Sequence, residues 1–343
     1  MVRSQFLGPI FVVAFAVAGP ALAADPLPNL QADAARVSVS GLSSGAFMAV
    51  QYDVAFSAST MGVGVVAGGP YNCAWVNFGG INTCMKGAPS AQASYGAAAS
   101  FAISGMIDPI SNLAKGKVYL FSGGKDSVVR TPVVDATSQF YQLLGVKGGN
   151  LRYDKLADAG HAFLSPSFGN ACPTNDAPYV NECKDKAGAL YDQPGALLGH
   201  IHGPLKAKAV TLSAQPVAFD QKQFTSPSIS GMAETGYVYI PAACNTDGGN
   251  AGGSKCAVHV VFHGCLQGDR TVGDDVYAKA GYNQWADSNR IIVLYPQINP
   301  TKVPSNEYGC WDWTGYSGLN FQVKSAAQMS AVNAMVGRLT GAK

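Results

Sequence analysis

The run Gly41–Gly45, which reads Gly-Leu-Ser-Ser-Gly, constrains the fold more than any other feature of the chain. It follows a strand-like run at Val37–Ser40 and opens a helix-like run at Gly45–Ala55. A tight turn from strand to helix leaves no room for flanking side chains, which explains the two glycines. The turn would lift the Ser43 hydroxyl above the sheet edge and place the Ser44 amide at a helix N-terminus. The pattern therefore predicts a nucleophilic serine.

Strand-like and helix-like runs alternate along the rest of the chain, which predicts an α/β fold with a mainly parallel sheet flanked by helices. Further strands are predicted at 61–67, 117–121, 151–156, 237–240, 258–262 and 291–295, and helices at 131–144, 184–198, 274–288 and 323–339. A looser stretch at 209–231 and a Gly-rich hairpin at Asp247–Asn250 interrupt the second half. No repeat and no Thr- or Pro-rich linker is seen, so one domain without a separate binding module is expected at 24–343.

The N-terminal residues have the features of a secretory signal peptide at 1–23. Arg3 is followed by the apolar run Phe11–Ala18, and Ala21–Ala23 gives the small-x-small pattern of a cleavage site. The apolar run is too short to span a bilayer, and no later segment is long and apolar enough. With a net charge of +2 and no basic cluster, a nucleic-acid site is not expected. The sequence predicts an exported protein, outside the membrane after cleavage.

Eight cysteines follow the predicted cleavage site, and an even number in an exported chain suggests disulfides. Local spacing favours three close pairs and leaves a fourth; the preferred set is Cys73 with Cys84, Cys172 with Cys183, Cys244 with Cys256, and Cys265 with Cys310. Because eight cysteines allow 105 pairings, this set is a preference. A metal site is disfavoured, since no Cys-x-x-Cys unit occurs.

A serine hydroxyl needs a base, and five histidines are available. His161 lies just past a predicted strand end, where a loop could carry its imidazole over the serine, and its late position fits the order Ser…Asp…His. His259 lies inside a strand and is expected to be packed. His200 and His202 form a His-x-His pair, but no acidic third ligand stands out nearby. His263 is a candidate base for the thiol of Cys265.

The acid that orients the base should follow a strand and lie between the serine and the histidine. Asp126 follows the Lys117–Phe121 strand and fits this position. Asp154 and Asp158 are rivals, although Asp154 lies within a strand and Asp158 is very close to His161 in sequence. Asp126 is the favoured acid.

A second oxyanion donor is expected at the end of the buried run Val258–Phe262, which leads into His263 and Gly264. Esterases of the α/β-hydrolase fold often supply a backbone N–H from such a strand end, here that of Cys265. That strand normally precedes the nucleophile but here follows it, so a circular permutation is predicted. The alternative makes Cys265 a thiol nucleophile with His263 as its base; a disulfide to Cys310 would remove that thiol.

Several of these runs, taken together, resemble single-domain poly(3-hydroxybutyrate) depolymerases over residues 35 to 335, nearly the whole mature chain. The matching runs are Val39–Gly45, Ala67–Tyr71, Phe262–Gln267, Gly281–Asn283, Leu294–Gln297 and Gly309–Trp313. The resemblance implies a circularly permuted α/β-hydrolase fold and supports the four disulfide pairs. It also implies Ser43, Asp126 and His161 as a catalytic triad, with the amides of Ser44 and Cys265 as the oxyanion hole.

The resemblance further implies that Trp313 lines a crevice beside the ester, and Trp311 and Tyr316 are candidates for the same wall. One departure is Lys125, an unexpected neighbour for the acid that nevertheless leaves Asp126 in place. A neutral solid polyester suits a shallow apolar crevice. The expected protein is a monomeric secreted esterase that needs no metal or organic cofactor and releases 3-hydroxybutyrate and its oligomers. The alternatives are an esterase for another ester, such as feruloyl or acetyl groups on a polysaccharide or a synthetic polyester, and a non-catalytic polymer-binding protein with a hydrolase fold.

Overall fold

The structure is a computed structural model that describes residues 24–245 and 255–342. The predicted signal peptide at 1–23 and the predicted Gly-rich hairpin at Asp247–Asn250 lie outside the described residues. No helix among the described residues has the length and apolar character needed to cross a bilayer.

The strand that precedes Ser43 lies in the middle of a large sheet. The strands are β1 Val37–Leu42, β2 Thr60–Val66, β3 Lys117–Gly123, β4 Leu151–Leu156, β5 Phe163–Leu164, β6 Asn170–Ala171, β7 Val180–Glu182, β8 Val217–Asp220, β9 Thr235–Tyr239, β10 Ala257–Phe262 and β11 Ile291–Tyr295. Within the described residues, eight of them form one sheet in the order β4-β3-β2-β1-β10-β11-β9-β8, and β5-β7-β6 form a small second sheet. The six neighbouring strands β4-β3-β2-β1-β10-β11 are parallel, and β9 and β8 add an antiparallel edge.

Helices cover both faces of the large sheet. They are α1 Ser44–Ala55, α2 Cys73–Val76, α3 Gly80–Lys86, α4 Ala91–Ile103, α5 Thr131–Leu143, α6 Gln193–His202, α7 Pro227–Ser230, α8 Asp269–Val272, α9 Tyr282–Asn289 and α10 Ala327–Thr340. Alternate residues of each strand point to opposite faces, so β11 buries Ile292 and Leu294 in the core with α1 and α10, and Val293 in the core with α6 and α9. The mainly parallel α/β fold is confirmed.

Strand β1 has parallel neighbours from opposite ends of the chain. On one side it pairs with β2, and on the other Val37 pairs with Val258 of β10. Ser38 and His259, which are also paired, lie 221 residues apart in sequence. Strand β10, which leads into His263 and Gly264, thus lies beside the serine turn, although β10 comes much later in the chain than that turn. This is the permuted order that the sequence predicts.

Three predicted helices are wrong at their N-terminal ends. The helix predicted at 184–198 begins only at Gln193, because the Asp192 side chain caps it by accepting from Gly195 N at 3.1 Å; residues before it form a turn bridged from Lys184 to Leu190.

The helix predicted at 274–288 begins at Tyr282, directly after Gly281, whose φ of 101° cannot continue a right-handed helix. The helix predicted at 323–339 begins at Ala327. The stretch expected to be loose, 209–231, contains β8 and α7, and β8 forms the outer strand of the large sheet.

All four preferred disulfides are present: Cys73–Cys84, Cys172–Cys183, Cys244–Cys256 and Cys265–Cys310. Three close short loops, and the fourth joins the loop after β10 to the segment that carries Trp311 and Trp313. A set of this density fits a protein that matures in an oxidising compartment.

Candidate active site

Ser43 occupies a strained turn between β1 and α1. Its φ of 57° lies in the left-handed region, and its backbone N–H donates to Val66 O at 3.0 Å. A Cβ on Gly41 would lie 2.2 Å from Gly45 O, and one on Gly45 would lie 2.3 Å from Phe262 O. Glycine is therefore required at both flanks because the turn touches its own helix and the neighbouring strand.

Asp126 and His161 come together at the same edge of the sheet. Asp126 follows β3, and one carboxylate oxygen accepts from the backbone N–H groups of Val128 and Val129, both at 2.8 Å. Its other oxygen lies 2.8 Å from Nδ1 of His161. Since a carboxylate only accepts, Nδ1 carries the proton and Nε2 is left as the basic nitrogen. Asp154, by contrast, pairs with the Arg152 guanidinium at 2.7 Å, away from the imidazole.

The lysine beside the acid does not disturb this pair. The Lys125 side chain is exposed, and its backbone N–H donates to Ala159 O at 2.9 Å. Gly124 N–H donates to Leu156 O at 2.8 Å, so the acid loop is tied to the loop that follows β4. The carboxylate keeps its position because backbone bonds, and not the lysine side chain, shape the turn.

Ser43 and His161 both line one cavity of about 570 Å³. Among the described residues, no hydrogen bond joins the hydroxyl of Ser43 to the imidazole of His161. Catalytic hydrogen bonds are often long before substrate binds, so the arrangement is compatible with proton transfer. The three side chains expected from the sequence are brought to one place, with the Asp126–His161 bond already formed.

The two expected oxyanion donors lie on the same cavity wall. Ser44 is the first residue of α1, where N–H groups have no partner within the helix. Cys265 follows β10 and is held by its disulfide to Cys310. The disulfide excludes Cys265 as a thiol nucleophile.

His263 is engaged by the backbone on both sides, which also excludes it as the base. Its Nε2 accepts from Ile298 N–H at 3.0 Å, so its Nδ1–H donates to Gly264 O at 2.7 Å. Burial lowers the pKa of His263 to about 4, which keeps the ring neutral at physiological pH. This histidine shapes the loop that carries Cys265.

The three aromatic residues expected in the wall all line the cavity, in different ways. Trp313 stacks on Phe47 with ring centroids 4.3 Å apart. Trp311 is fully buried against Phe262, and its backbone N–H donates to the Ser44 hydroxyl at 3.3 Å. The Tyr316 hydroxyl donates to Cys310 O and accepts from Gln328 Nε2, which holds the ring in place, and burial raises the pKa of Tyr316. Trp313 keeps a small accessible surface at the cavity, whereas Trp311 is fully buried and supports the wall from behind.

The remaining histidines have structural surroundings. His259 packs between Ser38 and Ser40, whose hydroxyls lie 2.8 Å from Nδ1 and Nε2 respectively, as expected for a packed strand residue. His202 shares the Ser38 hydroxyl at 2.9 Å, and His200 bonds Asn150 O at 3.0 Å. The described residues contain no cluster of histidine, cysteine or carboxylate side chains suited to a metal.

Several cavity residues are not singled out by the sequence, because hydrophobic and aromatic side chains carry no catalytic motif of their own. These are Phe47, Ile81, Met85, Val128, Val129, Tyr179, Leu266 and Tyr308. Tyr179 presents its ring to His161 edge-on, with centroids 6.2 Å apart. No motif marks these positions, although the aromatic type of Tyr179 is typical of a cavity wall.

Comparisons with known proteins agree with this site. No family model matches the chain. The chain is 42% identical over 329 residues to a poly(3-hydroxybutyrate) depolymerase of Delftia acidovorans, covering 94% of this chain and 63% of that protein. It is 36% identical over 328 residues to a polyhydroxybutyrate depolymerase of Talaromyces funiculosus, covering 91% of each.

Solved structures give the same result. The PHB depolymerase from Penicillium funiculosum matches with a TM-score of 0.81 and 34% identity, over 92% of this chain and 99% of that one. A PHB depolymerase with a serine replaced by alanine, in complex with an R3HB trimer, matches with a TM-score of 0.82 and 34% identity over the same shares. With the fold, the serine turn and these relatives in agreement, the chain belongs to the polyhydroxybutyrate depolymerase family.

Proposed function

We propose that this chain is a serine esterase that hydrolyses poly(3-hydroxybutyrate) to 3-hydroxybutyrate and its short oligomers. One observation carries the proposal: the 2.8 Å Asp126–His161 pair and the strained Ser43 turn line or adjoin a single cavity with apolar walls. The relatives that share this architecture are named as depolymerases of this polymer, which supports the choice of substrate.

In the first step, Ser43 Oγ attacks an ester carbonyl carbon while His161 Nε2 takes the hydroxyl proton. Asp126 stabilises the resulting imidazolium through the Nδ1–H bond and holds the ring in the correct tautomer. The C–O bond to the leaving alcohol then breaks, and the imidazolium returns its proton to that alcohol. The shortened polymer departs and the acyl group remains on Ser43.

The amides of Ser44 and Cys265 act on the oxyanion that forms during this attack. Each donor of this kind contributes on the order of 3 kcal/mol to lowering the barrier. The Ser44 amide is oriented by the start of α1, and that of Cys265 by the disulfide to Cys310. Both donors are backbone groups, so their directions are set by the fold and not by rotamers.

In the second step, water attacks the acyl-enzyme with His161 as base, the Ser43–acyl bond breaks, and Ser43 recovers the proton. The products are a carboxylic acid end and free enzyme. Every proton and electron pair comes from the chain, the substrate or water. The proposed reaction therefore includes no metal ion and no organic cofactor.

The cavity walls suit a neutral polyester. Phe47, Ile81, Met85 and Trp313 provide apolar surface, and burial of such surface drives the binding of methyl-bearing chains. Tyr308 at the cavity rim is more than half exposed. We place the substrate's acyl unit against Trp313, beside the Ser43 hydroxyl.

We also propose where the enzyme acts and in which form. Residues 24–343 act as one catalytic domain after removal of the signal peptide at 1–23, and the mature protein works outside the cytoplasm as a monomer. Its partner is the polymer, without nucleic acid or membrane. Four disulfides support the exported state.

The test is product analysis after incubation of the purified protein with a suspension of poly(3-hydroxybutyrate). We expect clearing of the suspension and release of 3-hydroxybutyrate and oligomers by wild type, and neither by Ser43→Ala. A fluorophosphonate probe should label wild type and not Ser43→Ala. Labelling without release of polymer products would indicate an esterase for another ester, and no labelling would indicate a non-catalytic binder.

A further inference from the structure

The carboxamide of Asn175 joins the acid loop to the histidine loop. Its Oδ1 accepts from the backbone N–H of His161 at 2.9 Å and from that of Ser127 at 3.0 Å. Its Nδ2 donates to Lys125 O at 3.1 Å and to Pro173 O at 3.0 Å. One neutral side chain therefore contacts the peptide groups on both sides of Asp126 and the backbone of the base.

The carboxamide of Gln267 makes an equivalent connection on the other side of the cavity. Its Oε1 accepts from Gly264 N–H at 2.7 Å, directly before Cys265. Its Nε2 donates to Pro178 O at 2.9 Å and to Tyr179 O at 3.0 Å. The side chain is almost fully buried, so these three bonds replace water entirely.

Both carboxamides meet on one segment, residues 172–183, which we call the clasp. Its ends are joined by the Cys172–Cys183 disulfide, and Asn181 Nδ2 donates to Cys172 O at 2.9 Å and Thr174 O at 2.8 Å inside it. Gly160 N–H, next to the base, donates to Cys172 O at 2.8 Å. The clasp is thus a stiff loop with bonds to three separate parts of the site.

We propose that the clasp holds the acid–base pair in register with the oxyanion donor Cys265, and that Asn175 and Gln267 are its positioning residues. The proposal rests on the proposed esterase function. Neither side chain touches the reacting atoms; each fixes the backbone of a loop that carries one. The consequence is a site whose two halves, one from β3 and β4 and one from β10, are aligned by a third element.

The chemistry explains why carboxamides occupy both positions. Each must accept from a backbone N–H and donate to two backbone carbonyls at the same time, and an amide side chain does this because its planar group has an acceptor oxygen and two N–H donors. A carboxylate would keep the acceptor and repel the carbonyls. An alkyl side chain would leave up to four backbone groups without this partner.

The first test is Asn175→Ala, assayed on p-nitrophenyl butyrate, a soluble ester. We expect kcat to fall about 100-fold with KM changed less than threefold, because a misplacement near 1 Å has this effect on a reacting pair. Asn150→Ala is the matched control: Asn150 accepts from the Lys117 ammonium at 2.7 Å, at the start of β4, and its loss should leave kcat unchanged. Asn175→Asp keeps the acceptor oxygen and replaces Asn175→Ala if that variant does not fold; at least a tenfold loss of kcat is expected.

The second test is Gln267→Glu, which keeps the acceptor for Gly264 N–H and removes both donors to the clasp. We expect about tenfold weaker inhibition by a trifluoromethyl ketone, whose adduct on serine carries an oxyanion, with KM for the ester little changed. If the clasp couples the acid–base pair to the loop of Cys265, the two substitutions are not independent. The fold-loss of kcat in the double variant Asn175→Ala/Gln267→Glu should then be smaller than the product of the two single fold-losses.

The outcomes separate this proposal from the proposed function. Wild type that neither hydrolyses the ester nor reacts with fluorophosphonate would contradict the esterase function itself. An active wild type with a folded Asn175→Ala (or Asn175→Asp) variant within threefold of its kcat would overturn the role of the clasp. Additive losses in the double variant would overturn the coupling, and a loss of thermal stability without a kcat loss would reduce both residues to a structural role.

Discussion

Two histidines, His161 and His263, follow parallel strands at the same edge of the sheet, and both are buried. They differ in what their ring nitrogens contact. His161 donates from Nδ1 to the Asp126 carboxylate, and among the described residues its Nε2 forms no hydrogen bond. His263 uses both nitrogens on backbone groups, those of Gly264 and Ile298.

The difference teaches that position in the fold does not make a base; the partners of the ring do. A carboxylate partner stabilises the imidazolium, and a free Nε2 can accept a proton from the serine. Two backbone partners fix His263 as a neutral tautomer. Its side chain thereby stabilises the loop that carries Cys265. Variants of these two histidines and of Tyr179 test this difference.

The largest effect is expected for His161→Ala. Loss of the general base should lower kcat on a soluble ester by about 10⁴-fold or more, because the serine is then left without a group to take its proton. Steady-state kinetics measure this, and circular dichroism should show an unchanged fold. A loss below tenfold would mean that His161 is not the base.

The second effect is on stability and concerns His263→Phe. This change keeps a ring but leaves Gly264 O and Ile298 N–H unpaired, and each buried group costs about 1–3 kcal/mol. We expect the free energy of unfolding in urea at pH 7.5 to fall by about 2–6 kcal/mol. His200→Ala is the control, since half-buried His200 makes one bond to Asn150 O, and its effect should be under 1 kcal/mol.

The third effect is the pH dependence of that stability difference. The pKa of His263 is about 4 in the folded protein and near 6.5 when unfolded, so the unfolded state binds more protons between these values. The advantage of wild type over His263→Phe should therefore shrink as pH falls from 6.5 to 4, by on the order of 3 kcal/mol.

Urea unfolding of both proteins across this range measures that change. Asp53, whose pKa burial raises to about 7, has the opposite slope, but it is present in both proteins and cancels in the difference. A constant difference across the range would contradict the neutral, backbone-bound state of His263.

The smallest effect is expected for Tyr179→Leu. The Tyr179 ring meets His161 edge-on, and such a contact contributes about 0.5–1.5 kcal/mol beyond burial. We expect kcat to fall about two- to tenfold, with the clasp intact because only the Tyr179 carbonyl bonds Gln267. A variant as impaired as His161→Ala would mean that Tyr179 acts directly in the reaction.

The parts of this site that the sequence predicts are those fixed by local chemistry. Gly41 and Gly45 signal the turn because any side chain there would collide within it. The position of Asp126 follows from a strand end, and three disulfides follow from short spacing. The strands of the large sheet other than β8 are also predicted close to their observed bounds.

The parts that the sequence does not predict depend on distant loops meeting. Asn175 and Gln267 have no local signal, because their partners belong to loops far away in the chain. The helix predicted from Lys184 fails because a cap at Asp192 outweighs the periodicity before it. The difference between Trp313, which keeps 8% of its surface accessible, and fully buried Trp311 is likewise set by packing.

The pairing of β1 with β10 has a consequence for the order of folding. Ser43 and β1 emerge early in synthesis, but β10, which pairs with β1, is made about two hundred residues later: Ser38 and its partner His259 are 221 residues apart. Contacts of such long range are slow to form, because a large loop must close first. A nascent or truncated chain that ends before β10 would thus carry Ser43 and Ser44 without Cys265, the second proposed oxyanion donor, so ester hydrolysis must await synthesis of this strand and the loop after it.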